Sequence, residues 1–141
     1  MKVRWLVAFL LAAFTGVASA QQGTVPTAET ALGSVHIPRS VKADGKDLKA
    51  GTYAVRLTAQ EASPSVPGQK MERWVEFMQG GKVVGREVAS VMSDADIVSH
   101  VKGPRPRANS SRVDTLKGGD YLRVWINKGG NNYLINLRSS K

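Results

Sequence analysis

Beyond residue 31 the chain alternates apolar and polar positions in short runs, separated by clusters of Gly, Pro, Asn and Asp. A period of two places successive side chains on opposite faces of a strand. The pattern predicts strands over Leu32–Ile37, Thr52–Ala59, Met71–Gln79, Val83–Met92, Ser111–Leu116, Tyr121–Asn127 and Asn132–Arg138. Tyr53, Val55 and Leu57 would face a core, as would Val35 and Ile37, with Ser34 and His36 outside. Strands at this spacing predict an all-β, antiparallel, two-sheet sandwich of about seven strands, with a small β-barrel as the alternative. Sustained helical spacing is absent. Ser93–Val101 predicts a turn or two of helix, with Ser93 or Asp94 as N-cap.

Three turn signals organise the strands. Asp44-Gly45-Lys46-Asp47 marks a tight turn before Thr52–Ala59, and Gly80-Gly81 and Gly129-Gly130 each read as a hairpin. A two-residue turn at Gly129-Gly130 pairs Ile126 with Tyr133, Val124 with Ile135 and Leu122 with Leu137. These apolar pairs share one face, so a one-residue slip is disfavoured. At Gly80-Gly81 a shifted register is favoured, pairing Met78 with Val84, Trp74 with Val88 and Glu76 with Arg86. A three-residue loop with a bulge at Gly80–Lys82 would produce it. Two long connections remain, Gln60–Lys70 and Ser93–Ser110.

The N-terminal end adds a destination. Lys2 and Arg4 precede the apolar run Leu6–Phe14, and Ala18-x-Ala20 follows, the arrangement of a secretory signal peptide. The reading is export to the periplasm or cell exterior, with cleavage after Ala20. The apolar run is shorter than the roughly 20 residues a membrane span needs, so the mature chain is expected to hold no transmembrane segment. Residues 1–20 are then the signal, 21–31 a flexible arm, and 32–141 a single β domain.

Composition narrows the chemistry. Cysteine is absent, which removes disulfides, thiolate catalysis and zinc–thiolate sites. The chain carries 20 basic and 11 acidic residues, a net charge of +9. That charge favours anionic partners. Nucleic acid is not expected, because no nucleic-acid-binding motif accompanies it. His36 and His100 lack neighbours at metal-ligand spacing, so no metal or cofactor is expected. A nucleophile elbow is missing, although Ser99, His100 and Asp96 could be drawn as a triad. Catalysis is the less favoured class, and no catalytic residue is assigned.

Two features read as binding sites. The first is the non-core face of the last hairpin, with Tyr121, Arg123 and Trp125 beside Asn132, Leu134, Asn136 and Arg138. Flat rings next to amide and guanidinium donors suit a glycan or peptide. The alternative is that this face is itself covered. The second is the loop Val101–Arg112, where Lys102, Arg105, Arg107 and Arg112 meet no acid and could grip an anionic surface. The alternative there is a mobile, solvated loop.

The segment Leu48–Leu57, LKAGTYAVRL, carries an AGTY-x-V strand entry. It resembles exported bacterial β-sandwich domains of prealbumin-like and carboxypeptidase-regulatory-like type. The resemblance implies an exported sandwich architecture and assigns no functional residue. The reading is therefore a non-catalytic exported binding module for a glycan, peptide or anionic ligand. A structural protein that assembles through an exposed edge strand is the alternative, and a small periplasmic hydrolase is the least favoured.

Overall fold

A computed structural model describes residues 25–62 and 72–140. The chain order is β1 (Thr30–Ile37), β2 (Val41–Ala43), β3 (Lys46–Leu48), β4 (Gly51–Glu61), β5 (Glu72–Gln79) and β6 (Lys82–Ser93). There follow α1 (Asp94–His100), β7 (Ser110–Leu116), β8 (Tyr121–Lys128) and β9 (Asn131–Ser139). All seven expected strands form. The start of the third, at Met71, lies outside the described residues, as do the signal-peptide segment and most of the Gln60–Lys70 connection.

All pairings are antiparallel and belong to one sheet, so the arrangement is not two separate layers. The path runs β1-β4-β5-β6-β9-β8-β7 and brings β7 back beside β1, where Ser111 Oγ donates to the Ser34 carbonyl at 3.5 Å. The result is a nearly closed barrel, the alternative architecture. β9 is the hub. One edge pairs with β8 throughout, while the other pairs with β6 over Asn131–Ile135 and with β2 at Arg138 and Ser139.

The interior follows the alternation. Tyr53, Val55, Leu57, Val75, Phe77, Val124 and Ile135 are all buried in one cluster, with Tyr53 and Phe77 meeting edge to face at 6.3 Å. In β1, Leu32 and Val35 are three residues apart and would point oppositely in a regular strand. A bulge between Ala31 and Gly33, with Gly33 at φ 108°, turns both inward. The part of the arm that the structure describes is built into the domain. Val25 packs on the core, Thr30 and Ala31 belong to β1, and buried Arg73 donates to the carbonyls of Pro26 and Thr58.

Three hairpins turn on two residues with positive φ, at Asp44-Gly45, Gly80-Gly81 and Gly129-Gly130. Such turns match the twist of paired strands. The last hairpin has the register expected for it. At Gly80-Gly81 the pairs Trp74–Val88 and Glu76–Arg86 form as expected, but the extra residue lies elsewhere. Met78 pairs with Val83 and Phe77 with Gly85, so the bulge is at Val84 and the turn itself is tight. Gly85 lets Leu48 approach closely there, since a Cβ would stand 2.9 Å from Leu48 Cδ2. The unexpected β2–β3 hairpin thus folds onto the barrel with Val41, Ala43 and Leu48 in its core.

Candidate functional site

The outer face of β7, β8 and β9 carries the side chains singled out in the sequence. Pairing sets them in three cross-strand rows: Arg138–Tyr121–Leu116, Asn136–Arg123–Asp114 and Leu134–Trp125–Arg112. The rows have different fates.

Trp125 is 1% exposed and offers no platform for a sugar or peptide. It forms a second apolar cluster with Ile97, Val101 and Leu134, with Met92 packed against it. Helix α1 provides the cover. Ser93 caps it, accepting from Asp96 N at 3.2 Å, and Ile97 and Val101 share one face at a spacing of four. The indole Nε1 donates to Asn132 Oδ1 at 2.9 Å, and Asn132 Nδ2 donates to Asp94 Oδ1 at 2.8 Å. Covering is therefore the correct reading of this row.

Arg123 is also engaged. Its Nη2 donates to Asp114 Oδ2 at 3.3 Å, and its guanidinium carbon lies 5.8 Å from the Trp125 ring centre. Arg112 approaches the same acid more closely, from Nη2 at 2.6 Å and Nε at 3.1 Å. Burial pushes the Asp114 carboxyl up, but the hydrogen bonds and charges of Arg112 and Arg123 outweigh it and hold the group below its ordinary value. Arg123 is thus a structural partner more than a free ligand donor.

The remaining row opens onto a cleft of about 590 Å³, lined by Lys42, Asp120, Tyr121, Arg138 and Ser139. Lys42 lies directly opposite Arg138, and Arg138 opposite Tyr121. Both cations are exposed, and within the described residues neither has an ion-pair partner. Asp47 on β3 stands directly opposite Lys42, and its Oδ1 accepts from Ser140 Oγ at 3.3 Å. At the back, the Gly119 carbonyl accepts from Arg39 Nη2 at 3.1 Å and from Ser139 Oγ. Asn136 is exposed on the same face of β9 as Arg138. Lys42 escaped sequence reading because its strand has three residues, although the turn expected at Asp44–Asp47 lies directly after it.

The basic loop is held in place. Asn127 Nδ2 donates to the Pro106 carbonyl at 2.8 Å, Arg112 Nη1 to Pro104 O at 2.6 Å, and Asn109 N to Asn127 O at 2.7 Å. These hydrogen bonds tie the loop to β7 and β8. Lys102, Arg105 and Arg107 project outward. Arg105 meets Asp94 Oδ1 at 3.4 Å, contrary to the expectation that no acid meets the loop, and Arg107 has no ion-pair partner among the described residues.

Ser99, His100 and Asp96 do not form a triad. His100 Nδ1 is 3.1 Å from Ser99 Oγ and 2.9 Å from the Asp96 backbone carbonyl, so one nitrogen serves both neighbours. A triad needs the carboxylate on one nitrogen and the nucleophile on the other. Among the described residues no three His, Asp or Glu side chains gather to hold a metal, and no helix is long and apolar enough to cross a membrane. No family model, curated protein or solved structure matches the chain.

Proposed function

We propose that the chain is a non-catalytic binding module that takes an acidic saccharide in the cleft at Lys42, Tyr121 and Arg138. The observation that carries this reading is the direct pairing of Lys42 with Arg138 across β2 and β9. Like charges directly opposite one another destabilise a sheet, and among the described residues no ion pair relieves them. A ligand carboxylate or sulfate would do so, with Arg138 able to grip it with two parallel hydrogen bonds. Ser139 lines the same cleft and Asn136 is exposed on the same face, and both suit sugar hydroxyls.

Export belongs to the same proposal. Residues 1–20 carry the charge, apolar run and small-residue site of a signal peptide, and extracellular surfaces are rich in acidic saccharides. Assembly through an edge strand draws less support. Among the described residues three strands have a single sheet partner. The edges of β1 and β7 lie beside each other and cover one another. The third, β3, has three residues and exposes Lys46 and Asp47, features that discourage pairing with another chain.

Titration calorimetry with an oligogalacturonate, a carboxylated saccharide, tests the reading. Lys42→Glu and Arg138→Glu are each expected to weaken binding by about tenfold or more, and added salt should weaken the wild type. Equal binding of a neutral oligosaccharide of the same length would reject it.

A further inference from the structure

A second cavity lies between α1, the fastened loop and the Gly129-Gly130 turn, with a volume of about 490 Å³. Its floor is apolar, formed by Ile97, Val101 and Trp125, while Arg105 and Arg107 line its side. We infer that this cavity is a separate site for a small amphipathic carboxylate, whose apolar body lies on the floor and whose head meets Arg107.

Three observations lead there. The first is charge. Asp94 is the sole acid lining the cavity among the described residues, and it is already engaged by Arg105 and by Asn132 Nδ2 at 2.8 Å. Arg105 is thereby held against α1, whereas Arg107 has no ion-pair partner among the described residues. An anion is the complement the cavity lacks.

The second is apolar exposure. Val98 lines the same cavity and is 73% exposed, the most exposed large hydrophobic side chain among the described residues. Folding gains nothing from it. An apolar ligand body resting against Val98 would remove that surface from water.

The third is preorganisation. The loop that presents Arg107 is tied down on both sides of it, by Pro104 and Pro106 carbonyls bound to Arg112 and Asn127, and by Ser110 N donating to Arg107 O at 3.0 Å. A fixed loop loses little entropy when a ligand arrives. Concave sites that combine an apolar lining with few placed polar groups are the common form for small ligands.

The test is calorimetry of the full chain with decanoate, kept below its micelle concentration, and with butyrate and 1-octanol as head-only and body-only controls. Decanoate should bind saturably, and each control at least tenfold more weakly. Arg107→Glu and Val98→Asp should each weaken decanoate at least tenfold. Both side chains are exposed, so neither change threatens folding, which circular dichroism verifies. Lys42→Glu should leave decanoate binding unchanged, which separates this site from the saccharide cleft. Absence of saturable decanoate binding, or binding that ignores both Arg107→Glu and Val98→Asp, would overturn the inference.

Discussion

Asp114 shows how a single side chain ties this face together. It accepts from Arg112 and Arg123 at once, and Arg112 in turn holds the Pro104 carbonyl of the basic loop. Replacing it with Asn should cost about 1–3 kcal/mol in urea unfolding at neutral pH, because two partly buried guanidinium groups lose their counter-charge. The pH dependence has a definite sign. The carboxyl is held below its ordinary value, so its stabilisation is complete above an unfolded-state value of about 4 and is lost as pH falls through the folded value. The difference between wild type and Asp114→Asn should therefore shrink in acid. A difference that stayed constant from neutral pH to well below 4 would contradict this assignment. Trp125 marks the limit of sequence reading at this scale. Alternation along β8 correctly put Tyr121, Arg123 and Trp125 on one face, but it carries no information about what lies above them. The cover comes from Ile97 and Val101, far away in sequence, and divides one expected face into a covered end and an open one.

Among the elements, legibility followed length and local chemistry. The β8–β9 hairpin was readable to the residue because alternating apolar pairs and a Gly-Gly turn agree on one register. The β5–β6 hairpin was readable in its distal pairs, while its bulge was misplaced. Next to that bulge Gly85 lies against Leu48, a contact from another hairpin that no local pattern displays. β2 and β3 were missed as strands, since three residues are too few to display a period. Their packing gives a direct prediction. Gly85→Ala places a Cβ 2.9 Å from Leu48 Cδ2 and should destabilise the fold by about 1–2 kcal/mol in thermal unfolding. Shortening Leu48 to Ala alone leaves a cavity, so the double variant should cost less than the sum of the two single changes. Strict additivity would show that β3 does not pack there.

For the whole molecule, the sequence supplied class but not closure. Seven strands of the right length are compatible with a sandwich or a barrel, and the choice depends on strand order, which no local pattern encodes. The decisive feature is β9, which pairs with β8 on one edge and with β6 and then β2 on the other. That branching also builds the candidate site, because it brings Lys42 against Arg138 and Tyr121. The hairpin face was half legible in consequence. Asn136 is exposed and Tyr121 half-buried, Trp125 and Arg123 are engaged in the fold, and Lys42 arrives from an element that alternation did not reveal. The net charge of +9 pointed to an anionic partner without locating it. Backbone amide chemical-shift mapping with an oligogalacturonate reads directly whether an acidic saccharide occupies this junction. Shifts are expected to concentrate at Lys42, Tyr121, Arg138 and Ser139, with the core and the Lys102–Arg107 loop unaffected. Shifts confined to that loop, or none at a saturating concentration, would contradict it.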